Sequence, residues 1–76
     1  TGDKAVVGRS PKCDVFLNDM TVSRKHAELE RVGDGWSIRD TGSFNGVWVN
    51  NTNVDHVMLN DRDVIQIGCF VLRYAK

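Results

Sequence analysis

The stretch GDGWSIRDTGSFNGVWV, residues 33–49, decides the fold class. Around Trp36 and Ile38 polar residues fall between apolar ones, the period of two that marks a strand with one face in the core and one in solvent. Gly33-Asp34-Gly35 in front of it has the composition of a tight hairpin turn, and Val47 to Val49 behind it is a second short β-branched run. Between the two strands, Asp40-Thr41-Gly42-Ser43-Phe44-Asn45-Gly46 holds two glycines and an Asn-Gly pair, which demand a tight loop with positive φ angles. Asn45-Gly46 reads as a hairpin turn, and its asparagine amide can also offer a donor and an acceptor to a partner's extended backbone; both readings can hold together.

The same rhythm continues outward. Val6 to Gly8, Val15 to Leu17, Trp36 to Asp40, Val64 to Ile67 and Phe70 to Tyr74 are short, β-branched or aromatic, and flanked by turn residues. Phe70, Leu72 and Tyr74 are expected to share one face. Residues 22–32 fit two patterns, since Val22, His26, Leu29 and Val32 form a helical stripe while Ala27 and Leu29 fit a strand. A turn followed by a strand is expected there, because no glycine or proline stop stands close to a helical end. Neighbouring strands are expected to be antiparallel, and the fold class is all-β.

Seventy-six residues hold one small domain, 1–76, whose stability margin is thin because a chain of this size buries only about 60 to 65% of its extended surface. Ten basic residues balance ten acidic ones, which removes the bulk attraction expected of a nucleic-acid or membrane-surface binder, so any anion site must be local. No apolar run approaches the roughly 18 residues that span a bilayer, and no signal-peptide pattern opens the chain; a cytoplasmic, monomeric protein is expected. Cys13 and Cys69 are expected to be reduced and mostly buried, and with only His26 and His56 as further soft ligands no metal site or cofactor is expected. Asn50-Asn51-Thr52 matches a glycosylation acceptor only by chance.

Gly8-Arg9 at a strand end, followed by Ser23-Arg24-Lys25-His26, concentrates guanidinium, hydroxyl and ammonium donors in loops. A phosphate carries about −1.5 to −2 charges on strong acceptor oxygens, and a forked guanidinium with a hydroxyl can saturate them. For any one of these side chains the bland alternative is solvated surface; their joint occurrence is what points to an anion.

Together, Gly8-Arg9, Ser23-Arg24-Lys25-His26 and Ser43-Phe44-Asn45-Gly46, in this order and at these separations, resemble the signature of the forkhead-associated (FHA) domain family, from about Val6 to Tyr74. The resemblance implies a β-sandwich of two twisted, mainly antiparallel sheets with binding loops at one end, and a module that binds phosphothreonine segments of a partner or of its own parent protein. By the same resemblance Arg9 and Ser23 bind the phosphate, Arg24 adds a phosphate or backbone contact, Ser43 and Phe44 belong to the peptide-binding loop, and Asn45 fixes the peptide main chain. Gly8, His26 and Gly46 support those loops, His26 by tying two of them together; Asp40 braces the third through its backbone, and Lys25 is peripheral. Phosphothreonine is favoured over phosphoserine by a pocket for one methyl group, worth about 0.8 kcal/mol by transfer and about 1 to 3 kcal/mol in a snug site.

The chain departs from the family pattern at Phe44, where a small hydroxyl or aliphatic residue is usual, and at Val47, where threonine is common. FHA domains usually have two strands ahead of the Gly-Arg motif, so an N-terminally trimmed sheet is expected. Residues 14–28, 54–55 and 65–70 are especially similar to small actinobacterial FHA regulators of central carbon metabolism. Two other function classes compete. An enzyme would need Ser23 or Ser43 as nucleophile, His26 as base and Asp40 as orienter, but neither serine sits in a Gly-x-Ser-x-Gly elbow and no cofactor motif is present. A phosphate-independent docking module would use Trp48 or the Phe70 to Tyr74 edge as an apolar anchor.

Overall fold

The computed structural model describes residues 3–75. Nine strands and no helix lie among them: β1 (Lys4–Gly8), β2 (Val15–Phe16), β3 (Ala27–Val32), β4 (Gly35–Asp40), β5 (Val47–Val49), β6 (Thr52–Val54), β7 (His56–Met58), β8 (Val64–Ile67) and β9 (Phe70–Arg73). They form two sheets, in the orders β2-β1-β3-β4-β7 and β6-β5-β8-β9. The all-β, two-sheet expectation is borne out.

Residues 27–32 are a strand because both edges of that backbone find partners. Ala27 pairs with Asp40 and Val7, and Leu29 with Ile38 and Ala5, so the segment is the centre of its sheet. Of the residues in the competing helical stripe, Val22 and His26 are buried ahead of the strand, in the loop that enters it. The β3–β4 hairpin turns on Gly33-Asp34, with Gly33 at φ 59°.

Three features differ from the sequence expectation. β1 and β2 run parallel, in register Val7 with Val15, because the intervening residues loop around instead of turning back. Asn45-Gly46 is not a hairpin: β4 belongs to the five-stranded sheet and β5 to the four-stranded one, so this loop crosses between sheets. The hairpin after β5 uses Asn50 and Asn51, both at positive φ (51° and 67°), with Val49 paired to Thr52. Two consecutive positive φ angles define the turn that suits the strand twist, and asparagine is the side chain that tolerates them best. The turn leads into β6, which the expected strands omit together with β7. Buried Asp63 fixes the hairpin by accepting from Asn50 Nδ2 (2.9 Å) and the Asn60 amide (2.7 Å).

The core lies between the sheets and is built from Val7, Leu17, Val22, Ala27, Ile38, Val47, Val49, Leu59, Ile65 and Ile67, with Phe70, Leu72 and Tyr74 packed against it. The shared face of those last three is as expected, whereas Val71 between them is exposed. Ser37, expected on the solvent face, is buried: it is small and lies in register between Glu30 and Met58. The cysteines also depart from expectation, since both are free but Cys13 is half-buried and Cys69 exposed in the β8–β9 turn.

Two contacts hold the loops at one end against this framework. A Cβ on Gly8 would lie 2.0 Å from the Arg24 carbonyl oxygen, so glycine is required there by space rather than by backbone angle. Across the sandwich, the Thr21 hydroxyl donates to Asp19 Oδ1 (2.7 Å) and accepts from the Cys69 amide (2.9 Å), which ties the β2–β3 loop to the β8–β9 turn. The Thr21 hydroxyl and amide hold the Asp19 carboxyl below its usual range.

Two predictions follow from these ties. Gly8→Ala places a methyl group inside backbone and should cost about 2 to 3 kcal/mol, read as a fall in the denaturant midpoint at unchanged m-value. Because the Asp19 pKa is depressed in the folded state, its contribution is present above the ordinary carboxylate range near 3.9 and is lost as pH falls through the lower folded value. Thr21→Val should therefore lower Tm at neutral pH and flatten the loss of Tm with acid over that window.

Candidate functional site

Three loops meet at one end of the sandwich: residues 9–14 between β1 and β2, 17–26 between β2 and β3, and 41–46 between β4 and β5. Ser23 stands at their junction. Its carbonyl accepts from the Arg9 amide (3.0 Å), its amide donates to His26 Nδ1 (3.1 Å), and its Oγ accepts from the Phe44 amide (3.0 Å). One residue thus joins all three loops. Because Oγ accepts from a backbone N–H, its own hydrogen is left to point elsewhere, and the residue is only half-buried.

His26 is fully buried at 0% exposure, and its ring is engaged at both nitrogens. Nδ1 receives the Ser23 amide and so carries no hydrogen; Nε2 lies 2.6 Å from the Gly46 carbonyl and so donates. The imidazole is held in one tautomer as a strut between the second and third loops. The His26 carbonyl accepts from the Thr41 amide (3.3 Å), and the Thr41 hydroxyl donates to the Lys25 carbonyl (2.7 Å), which adds two further ties.

The third loop is rigid from within. Asp40 braces it with its carboxylate, Oδ1 accepting from the amides of Gly42 (2.9 Å) and Ser43 (2.7 Å), where the sequence suggested a backbone role. Ser43 Oγ accepts from the Gly46 amide (3.0 Å) and the Asn45 carbonyl from the Trp48 indole (3.1 Å), so Ser43 is half-buried and turned into its own loop. Gly46 sits at φ 81°, and a Cβ there would meet Asn53 Nδ2 at 2.7 Å. Asn45 Nδ2 donates to the Thr21 carbonyl (2.7 Å), leaving Oδ1 and the second N–H available at the surface. Phe44 projects outward, 94% exposed.

Arg9 and Arg24 are exposed side chains that share the wall of one surface cavity with Ser10, Pro11, Lys12 and Asn18. Of the residues singled out by sequence, Arg9, Arg24, Phe44 and Asn45 are exposed on these loops, Ser23, Ser43 and Gly46 are half-buried, and Gly8 and His26 are buried. Sequence reasoning passed over Thr21 and Asp19 as loop supports, and the hydrogen bond by which Trp48 acts as a third. The Asp-x-Thr spacing of a side-chain-capped turn was the available signal for the first two. The indole bond to Asn45 left no trace in the sequence. Among the described residues no cluster of His, Cys, Asp and Glu could hold a metal ion.

The chain is similar to known proteins over most of its length. A curated relative, the oxoglutarate dehydrogenase inhibitor of Corynebacterium jeikeium, is 46% identical over 70 residues, which cover 92% of this chain and 49% of the relative. The glycogen accumulation regulator GarA of Mycolicibacterium smegmatis is 48% identical over 65 residues, 86% of this chain and 41% of that protein. The chain therefore spans less than half the length of these relatives. Among solved structures, Mycobacterium tuberculosis EmbR in complex with a low-affinity phosphopeptide superposes with a TM-score of 0.92 at 32% identity, over 96% of this chain and 20% of that one. A structure solved in a study of phosphothreonine-dependent FHA domain interactions gives 0.83 at 36% identity, over 87% and 69%. The model of the FHA domain matches residues 5–68, and with its two sheets and three converging loops the chain belongs to the FHA domain family.

Proposed function

We propose that this domain docks reversibly onto segments phosphorylated on threonine and so reads a kinase signal without performing chemistry. The observation that carries the proposal is the state of Ser23: its carbonyl, amide and hydroxyl lone pair are all used to fix the loops, and its hydroxyl hydrogen is what remains to give. A phosphate beside it accepts that hydrogen and finds the Arg9 and Arg24 guanidiniums on the neighbouring surface. Asn45, already anchored through one N–H, presents its remaining donor and acceptor to an extended main chain.

The geometry works against a hydrolase. His26 is buried, and its Nδ1 faces the Ser23 amide rather than the hydroxyl, so it is not placed to take a proton from Oγ. The names of the relatives, an inhibitor and a regulator, support regulatory docking for the longer protein. Among the described residues no helix is long and apolar enough to cross a membrane; a cytoplasmic site of action is part of the proposal.

Isothermal titration with matched phosphothreonine, phosphoserine and unmodified peptides tests it. Phosphothreonine peptides should bind at micromolar strength, about −8 kcal/mol, phosphoserine peptides about tenfold or more weaker, and unmodified peptides not measurably. Arg9→Ala and Ser23→Ala should each remove a charge-assisted bond of about 1.5 to 3 kcal/mol, about ten- to 150-fold in affinity. Equal binding of all three peptides contradicts the proposal.

A further inference from the structure

Ten basic residues and ten acidic ones cancel over the chain, yet they are not evenly spread. Lys4, Arg39 and Arg62 each pair with a carboxylate, at Glu30, Glu28 and Asp61. Arg9, Lys12, Arg24 and Lys25 are exposed, and none of the four is paired with a carboxylate among the described residues. All four line two adjoining cavities. One holds Arg9, Lys12 and Arg24; the other is lined by Val6, Ser10, Lys12, Cys13, Arg24 and Lys25. Ser10, Lys12 and Arg24 belong to both, so they form the wall between them, and no acidic residue lines either cavity.

The wall is fixed in place. The Arg24 carbonyl accepts from the Ser10 amide (3.4 Å) and from Cys13 Sγ (3.2 Å), and Ser10 Oγ accepts from the Lys12 amide (3.3 Å). The second cavity is lined mainly by apolar surface, and three of its lining residues, Lys12, Arg24 and Lys25, carry a positive charge. One phosphate engaged by Ser23, Arg9 and Arg24 leaves Lys12 and Lys25 without a partner. Unpaired cations around a fixed concavity attract anions from solution, and like charges held together are relieved when one binds.

We propose that Lys12 and Lys25 form a second anion subsite, which takes a second negatively charged side chain of the same ligand segment. This rests on the phosphothreonine reading above. The ligand class is then a segment with two anionic groups, the second being either another phosphorylated residue or a carboxylate. Because the two cavities share the wall formed by Ser10, Lys12 and Arg24, and an extended segment advances roughly 3.3 Å per residue, the second group falls within a few residues of the phosphothreonine.

The test is a titration of the intact domain with phosphothreonine peptides of one sequence, carrying alanine, glutamate or phosphothreonine at each of the three positions before and after the anchor residue. Wild-type protein should gain about tenfold in affinity from a second anion at one such position, as expected for two exposed ion pairs, and the gain should shrink as salt is raised. In the double variant K12Q/K25Q, which also takes Lys12 out of the first cavity, the affinity ratio between the doubly and singly anionic peptides should fall to about one, whatever the change in binding of the singly phosphorylated peptide; an unchanged Tm shows that it folds. A gain from glutamate as well as phosphate names charge as the recognised feature, and a gain from phosphate alone names a doubly phosphorylated ligand; either supports the subsite. No gain at any position, or a gain retained in K12Q/K25Q, overturns it while leaving the single-phosphate reading intact. If wild type binds none of the phosphothreonine peptides, the underlying reading falls, and the subsite with it.

Discussion

The binding end of this domain depends on how Ser23 is held. Loops at the edge of a sandwich have few apolar contacts to order them, and fixing each backbone residue costs about 1 to 2 kcal/mol of conformational entropy. Here that cost is met by the burial of Leu17 and Val22 from the second loop and by hydrogen bonds within the protein. Arg9, His26 and Phe44, from loops separated in sequence, all bond to Ser23, and Asn45 closes the set by reaching Thr21. A ligand then meets donors already in position, which lowers the ordering cost of binding.

Burial decides which bonds matter most. His26 is the largest polar side chain in the interior, and it lies between two loops with each ring nitrogen satisfied by backbone. An unpaired polar atom there would cost about 1 to 3 kcal/mol, so the tautomer and the loop spacing fix each other. The glycines act in the same direction: Gly8 lets Arg24 pass against β1, and Gly46 turns the third loop against Asn53. Neither position has room for a side chain, and these close approaches add to the core contacts of Leu17 and Val22 in keeping the loops in one shape.

Much of this was legible in the sequence because it rests on local chemistry. Alternation at Trp36 and Ile38 and at Phe70, Leu72 and Tyr74 marked strands, and the loops that carry Arg9, Ser23 and Asn45 are hydrogen-bonded to one another. What escaped was set by long-range partners. The parallel pairing of β1 and β2 has no local signature, and β6 and β7 are three-residue strands without a clear period. Asn45-Gly46 has the composition of a hairpin, but the pairing of its flanking strands with other neighbours overrides that preference. Thr21 was missed because its importance comes from Cys69, 48 positions away.

The most direct measurement is amide hydrogen exchange at Phe44 in the ligand-free protein. Phe44 has a 94% exposed side chain in a surface loop, and its amide has no partner other than the Ser23 hydroxyl oxygen. If Ser23 organises the site before any ligand arrives, that amide exchanges slowly in the wild-type domain and at the rate of an open chain in Ser23→Ala. Open-chain exchange in the wild type would mean that the loops are not joined in advance, and the account of a preformed site would be wrong.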